Sequence, residues 1–258
     1  MLKPLKIIVL LGVMLGVAYY AGVRYVQHIA LPLAPGIHTV ASGSTAAQLC
    51  RLWLQQKLLN SSQCLLLKLY LKLHPSEAAV QQGVYRITDE RTLLGVLALF
   101  RSGREAQFAL TLIEGETLQQ SLQRISQAPH LVQDIAHAAQ VLQLIKWPAD
   151  WAEPPSSAEA LLFPDTYYYT ANSAASALIK RAQQSLLREL AVAWQQRQGE
   201  LPLQNPYQLL TLASIIEKES SYPPEKTLVA SVFVNRLRKN MRLQTDPTVI
   251  YGLENFNG

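Results

Sequence analysis

The sequence predicts an α+β protein with an N-terminal transmembrane helix, and three observations support this class. An uncharged apolar span runs from Ile7 to Val23, which is about the shortest length that crosses a bilayer core. A small unit of alternating helix-like and strand-like patterns follows, and the rest of the chain is mainly helical in its apolar spacing. With 258 residues, 49% of them hydrophobic, the chain has room for one large or two modest domains with proper cores.

The charge and the histidine pattern exclude several function classes. The formal net charge is +5, and the lysines and arginines are scattered along amphipathic segments instead of alternating with aromatics. This distribution disfavours nucleic-acid binding. The histidines show no spacing typical of metal ligands, so we predict neither a metal nor another cofactor. These histidines are His28, His38, His74, His130 and His137.

Residues 1–26 are predicted to be a transmembrane anchor. Lys3 and Lys6 precede the apolar span and only Arg24 follows it closely, which places the N-terminus in the cytoplasm and the bulk of the chain outside. A cleaved signal peptide is the alternative. The apolar part is longer than a usual signal-peptide core, and no convincing small-x-small cleavage site follows it. We therefore favour an uncleaved anchor, followed by a proline-containing linker over residues 27–36.

Residues 37–115 are predicted to form a small domain of mixed helices and strands. A break at His74-Pro75 separates two helices from a strand, and Thr88 and Asp89 are placed to cap a third helix that Gly103 ends. The expected elements are helices at 45–60 and 62–73, a strand at 83–87, a helix through Phe100 and a strand at 107–113.

Cys50 and Cys64 both fall in this domain, and two interpretations stay open. In an oxidising compartment they would pair and close a loop of about 15 residues, worth about 3 kcal/mol by the chain-entropy estimate. Both also lie among leucines on predicted helices, where a reduced cysteine behaves as a small hydrophobe.

Residues 116–258 are predicted to be mainly helical. Thr117 and Gln120 have the spacing of a capping box, and Pro148 is the latest point at which that helix would stop. A long amphipathic helix is expected over residues 174–198, ended by Gly199. The next helix begins at Asn205 with Pro206 in its first turn and Gln208 three residues on, an order typical of an N-terminus.

Two carboxylates, Glu217 and Glu219, come where this apolar helix ends. Glu217 continues the stripe through Leu210, Ala213 and Ser214. A carboxylic acid held against apolar neighbours tends to keep its proton near neutral pH, which would let Glu217 act as a general acid. The alternative is that both glutamates are solvated residues at a helix end. A second helix then restarts at Pro223-Pro224, and a polar turn with Asp246 before Pro247 leads into an apolar run.

Three blocks of this region, ASIIEKES, VASVFVNRL and MRLQTDPTVIYG, resemble in order and spacing the YceG-like family of endolytic murein transglycosylases. The resemblance implies that Glu217 is the catalytic acid/base and that Gln244, Thr245 and Asp246 lie in a loop beside the cleft. Glu219 also belongs to the motif. The expected reaction cleaves the β-1,4 bond between N-acetylmuramic acid and N-acetylglucosamine without water, leaving a 1,6-anhydro end.

The resemblance extends to two other segments. AEALLFPDTYYY, residues 158–169, is similar to the family's EGxLFPDTY element, so Asp165 would contact sugar in the cleft; capping of a turn after Pro164 is the alternative. Residues 37–115 resemble a LysM-like domain through the GVYRI strand at 83–87. This implies glycan binding, and a spacer that holds the catalytic part away from the membrane is the alternative.

The resemblance also implies a setting and partners. The protein would be a single-pass inner-membrane protein with a periplasmic catalytic domain, acting on nascent peptidoglycan strands and limiting their length, with peptidoglycan synthases as candidate partners. Family members continue beyond the TDPTVIYG block, so we expect the C-terminal part of the catalytic domain to be missing from residues 116–258. The second function hypothesis is therefore a membrane-anchored glycan-binding or scaffold protein with an inactive catalytic half.

Overall fold

The structure is a computed structural model that describes residues 2–88, 92–151, 154–220, 222–246 and 248. The chain divides into two compact units, residues 1–106 and 107–258. Both units combine helices with a two-stranded antiparallel sheet, so the predicted α+β class is confirmed. The apolar run after Pro247 and the predicted cap Asp89 lie outside the described residues.

The first unit contains a long N-terminal helix and a small mixed domain. Its elements are α1 (Leu2–Gln27), β1 (Gly36–Val40), α2 (Ala46–Gln55), α3 (Ser61–Leu73), a 3-10 turn (Pro75–Glu77), β2 (Gly83–Ile87) and α4 (Leu93–Ser102). Within α1, Lys6–Gln27 has a mean hydropathy of 1.9. By length and composition this segment is able to cross a membrane, and a signal sequence has the same properties.

The core of the first unit lies between the sheet and the helices. Tyr85 of β2 is fully buried, and its hydroxyl donates hydrogen bonds to the carbonyl oxygens of Gln81 and Phe100 at 3.0 and 3.1 Å. Cys50 and Cys64 form a disulfide between α2 and α3, with their Cα atoms 5.9 Å apart. The disulfide alternative left open by the sequence is thus the one that the structure contains.

The second unit is built around one long helix. Its elements are β3 (Gln107–Thr111), α5 (Leu118–Ser126), α6 (Ala138–Leu144), β4 (Thr166–Thr170), α7 (Ala175–Gln195), α8 (Pro206–Glu219) and α9 (Pro223–Arg238). Leu178, Ala182, Leu186 and Leu190 are buried along α7, as expected for the predicted amphipathic helix. Because β3 pairs with β4, residues 107–115, assigned from sequence to the first domain, group here with the second unit.

Several local predictions need correction. The cap of α4 is Thr92, whose side chain accepts from the Gly95 amide, instead of the predicted Thr88. Strands β1 and β4 were not predicted. The helix over 206–219 buries fewer residues than its apolar sequence predicts, namely Pro206 and Leu212. α7 and α9 pack against it, and Thr211, Ala213 and Lys218 on its surface are exposed.

Candidate active site at the end of α8

The site begins with how α8 starts. Asn205 accepts a hydrogen bond from the Gln208 amide at 2.9 Å, and Pro206 occupies the first helical position. The Gln208 side chain returns to the amide of Gln204 at 2.7 Å, one residue earlier than a capping box would place it. These contacts satisfy amides at the helix N-terminus, and α8 then carries Glu217 and Glu219 in its last turn.

Glu217 is paired with Lys226 of α9. The distance from Lys226 Nζ to Glu217 Oε2 is 2.5 Å, and the two side chains are 30% and 32% exposed, respectively. α8 and α9 are joined by a short link, so the first turn of α9 returns to the last turn of α8. The expectation of an acid surrounded by apolar groups is therefore wrong: Glu217 is half-buried and has an ammonium partner.

A loop from the start of the second unit lies against Glu217. Gly115 has a φ of +73°, and a Cβ at this position would lie 3.7 Å from Glu217 Cγ. The positive φ favours glycine. After the loop, the Glu116 carboxylate accepts hydrogen bonds from the Arg124 guanidinium. These hydrogen bonds raise the pKa of Arg124. The loop backbone thus forms one wall beside Glu217.

Glu219 faces a different direction. Glu219 lies on the same stripe of α8 as Leu212 and Ile215, which precede it by seven and four residues. Leu212 and Ile215 line a groove with a volume of about 480 Å³. Thr245 is buried and donates a hydrogen bond from its hydroxyl to Glu219 Oε2. The groove is lined by residues between Pro202 and Leu243, among them Tyr207, Gln208, Thr211 and Asn240.

The loop that carries Gln244, Thr245 and Asp246 is fixed by Arg236 of α9. Arg236 Nη1 donates to the Leu243 carbonyl at 2.6 Å and to Gln244 Oε1 at 3.3 Å. Gln244 has a φ of +51°, and Asp246 is exposed. The structure therefore brings Glu219 and Thr245 together and places Gln244 beside Arg236.

Asp165 lies at the start of β4. Its carboxylate accepts from the Thr166 amide at 2.6 Å, and its carbonyl accepts from the Leu112 amide at 3.0 Å. The side chain is exposed. The carboxylate contact is the one expected if Asp165 caps a turn after Pro164. The hydrogen bond from the Leu112 amide to the Asp165 carbonyl links Asp165 to the segment that leads to Gly115.

Lys226 and Gly115 were missed as site residues. Lys226 follows Glu217 by nine residues, a spacing that no single helix would bring together, and the two prolines that restart the helix were the available signal for a chain reversal. Gly115 lies between two glutamates just before α5, and this position gives no sequence signal of a contact with Glu217. Among the described residues no cluster of three metal-ligating side chains occurs.

A half-buried carboxylate with a lysine partner, beside a glycine loop, defines a candidate acid–base site. Comparison with known proteins identifies the family of the chain. The model of the YceG-like family matches residues 38–258, which is most of the chain, and the chain belongs to this family.

Curated relatives match over shorter segments. An endolytic murein transglycosylase of Bacillus subtilis (strain 168) is 56% identical over 45 residues, covering 17% of this chain and 12% of that protein. One of Streptococcus pneumoniae (strain ATCC BAA-255 / R6) is 31% identical over 93 residues, covering 36% of this chain and 16% of that protein. A solved structure of a YceG-like protein from Listeria monocytogenes is 24% identical with a TM-score of 0.42, covering 84% of this chain and 75% of that chain.

Proposed function

We propose that this protein is a membrane-anchored endolytic peptidoglycan lytic transglycosylase with Glu217 as its acid/base. The observation that carries the proposal is the Glu217–Lys226 pair beside Gly115 in a chain of the YceG-like family. The names of the curated relatives support the same reaction class.

The reaction needs one group that gives and then takes a proton. Protonated Glu217 donates to the glycosidic oxygen, and the bond from C1 of N-acetylmuramic acid to O4 of N-acetylglucosamine breaks through an oxocarbenium-like state. The C6 hydroxyl of the same muramyl residue then attacks C1 and returns its proton to Glu217. Because the nucleophile is tethered to the reacting sugar, no second carboxylate is required to position it.

Lys226 is proposed to supply the proton that Glu217 first donates. In the free protein the pair is partly exposed to water, which stabilises both charges. A bound sugar that covers the pair removes this water, and the cost of burying two charges favours proton transfer from Nζ to Oε2. Glu217 then starts the reaction as a neutral acid, and a neutral Lys226 amine can recover the proton afterwards.

The Glu219 side of α8 is proposed to bind the glycan strand. Sugars present hydroxyl groups to polar side chains and apolar faces to aromatic rings. The groove offers both through Tyr207, Gln208 and Asn240, and the neighbouring loop adds Gln244, Thr245 and Asp246. Asp165 remains a proposed contact at the start of β4.

The first unit is proposed to be a LysM-like domain. A second groove of about 400 Å³ lies among Thr45, Leu67, Lys72 and Ala78, and a sugar is the ligand that such a domain would take. This groove favours a second candidate function, a membrane-anchored glycan-binding scaffold.

Either function fits a protein that is anchored in the inner membrane by its N-terminal helix. The N-terminus would then lie in the cytoplasm and the catalytic domain in the periplasm, where peptidoglycan synthases are the proposed partners.

Incubation of the full chain with intact sacculi in ¹⁸O-labelled water tests the proposal. We expect soluble products with 1,6-anhydromuramyl ends and no ¹⁸O, because the attacking oxygen comes from the sugar. Reducing ends that carry ¹⁸O would show hydrolysis and contradict the proposal. Sacculus binding without any release would instead support the scaffold.

A further inference from the structure

Three leucines of α3 form an exposed apolar line. Leu65, Leu69 and Leu73 are 59%, 52% and 62% exposed, respectively. They recur every fourth residue, so they lie one above another on a single face of the helix. Three large exposed apolar side chains in one line mark a surface that contacts another apolar phase or partner.

The opposite face of α3 is fixed in the core. Cys64, Leu67 and Tyr70 are buried, and the disulfide from Cys64 to Cys50 joins α3 to α2. The helix is therefore held in one rotation about its axis, and the leucine line cannot turn inward without breaking this packing.

Lys68 and Lys72 lie on the flank of the leucine line, at the border of the groove that contains Thr45 and Ala78. Their spacing from Leu65 and Leu69 places them next to it around the helix, and both are exposed. Neither forms an ion pair with any residue that the structure describes. Leucines bordered by unpaired lysines are typical of helices in a membrane interface, where the long lysine stems let the ammonium groups reach anionic headgroups.

The neighbouring element identifies the phase that this face meets. α3 contacts α1, the helix that contains the candidate membrane span Lys6–Gln27. Burial, the Glu77 carboxylate and the Tyr19 phenol all raise the pKa of Tyr70, so Tyr19 lies near the C-terminal half of α3. Tyr19 and Tyr20 are at the far end of the apolar span, where aromatic side chains mark the level of the headgroups.

We propose that α3 lies in the membrane interface beside α1, with Leu65, Leu69 and Leu73 against lipid acyl chains and Lys68 and Lys72 against anionic phospholipid headgroups. This rests on the membrane anchoring included in the proposed function. The second contact fixes the orientation of the first unit on the bilayer, which a single helix crossing alone would leave free to rotate and tilt.

Photocrosslinking of the full chain in vesicles tests this proposal. Benzoylphenylalanine replaces Leu69 in one sample and Leu52 of α2, an exposed leucine at 45%, in the matched control. Both proteins are reconstituted in phosphatidylcholine vesicles with and without phosphatidylglycerol, and lipid adducts are measured by mass spectrometry. Formation of the Cys50–Cys64 disulfide confirms that each variant has folded.

We expect several-fold more lipid adduct at position 69 than at position 52, and more when phosphatidylglycerol is present. Lys68→Gln with Lys72→Gln should lower the adduct by up to about fivefold per lysine in those vesicles, because each cation near an anionic surface contributes about that factor. Equal labelling at the two positions would overturn the proposal.

Alkaline carbonate extraction separates this failure from failure of the anchor. Protein that stays in the vesicles without labelling at position 69 overturns the α3 contact alone. Protein that is extracted overturns both the anchor and the α3 contact.

Discussion

The first unit and the α8–α9 hairpin are held together by different kinds of contact. The first unit has a continuous apolar core from Val26 to Phe100 and a disulfide. In the hairpin, the buried helix residues are Pro206, Leu212 and Phe233. Leu210 also packs against the apolar core of the second unit, and Tyr207 contacts Trp147 edge-on. The contacts that join the helix ends are polar.

The polar contacts of the hairpin form a short series. Lys226 pairs with Glu217, Thr245 with Glu219, and Arg236 with the backbone before Gln244. The Ser220 hydroxyl also donates to Glu225 at 3.1 Å. Partly exposed polar contacts contribute little to global stability, so we infer that these residues are placed for chemistry, whereas the first unit is built for rigidity.

The largest stability effect is expected in the first unit. Cys50→Ser with Cys64→Ser removes a bridge between residues 14 apart in sequence and should lower the free energy of unfolding of this unit by about 3 kcal/mol. Hydrogen exchange of peptides from residues 46–73, measured by mass spectrometry, gives the value for this unit alone. An unchanged exchange rate would show that the apolar core suffices and would weaken the contrast between the two regions.

A smaller effect is expected at the start of α7. Asp134 accepts hydrogen bonds from the Ser176 amide at 2.9 Å and the Ser176 hydroxyl at 2.5 Å, and these bonds hold the pKa of Asp134 below its usual 3.8. Because the pKa of Asp134 is lower in the folded state than in the unfolded state, its stabilisation is complete at pH values above the unfolded-state pKa. The stabilisation is lost as the pH falls through the folded-state pKa. Asp134→Ala should cost about 1 kcal/mol at neutral pH.

The control for this prediction is Asp134→Asn, which keeps one acceptor oxygen and should cost less. The difference between the parent and Asp134→Ala should shrink as the pH falls through the folded-state pKa, which lies below 3.8, because a protonated carboxyl keeps only one free acceptor oxygen, as Asn does. A difference that does not change with pH would show that the ionised carboxylate is not the group that caps α7.

The smallest stability effect is expected in the hairpin. Lys226→Gln should change the free energy of unfolding by about 1 kcal/mol or less, as for other partly exposed ion pairs. Its effect on turnover should be large: a positioned proton donor contributes about 10²- to 10⁴-fold, and we expect kcat to fall by about tenfold or more.

Lys226→Arg separates the proton-transfer role from the ion pair. Arginine keeps the positive charge but does not give up a proton at accessible pH, so kcat should fall with this variant too. Full activity of Lys226→Arg would show that Lys226 only orients Glu217. Lys218→Gln, at an exposed position of α8, is the matched control and should retain activity.

The sequence predicted what depends on neighbours along the chain. The capping box of α5, formed by Thr117 and Gln120, is confirmed, and so are the Asn205 cap and Pro206 at the start of α8. Each of these signals is contained within one helical turn. Gly103, in the left-handed conformation after α4, was predicted for the same reason.

What depends on remote partners was not predicted. β4 pairs with β3 from Gln107↔Thr170 to Thr111↔Thr166, and the signal for this register is divided between distant segments. The Lys226 contact required knowing the angle at which α9 returns to α8. The catalytic role of Glu217 and the substrate roles of Gln244, Thr245 and Asp246 depend on the resemblance to the family and stay predictions.

The most direct test of the central claim compares Glu217→Gln, Glu219→Gln and Glu189→Gln in the release of anhydro-ended products from sacculi. The three substitutions remove one charge each with no change in shape; Glu189 is an exposed residue of α7 and serves as the control. We expect Glu217→Gln to lower kcat by about 10²- to 10⁴-fold while sacculus binding persists, Glu219→Gln mainly to raise KM, and Glu189→Gln to match the parent. Equal kcat for Glu217→Gln and the parent would contradict the assignment of Glu217 as the acid/base.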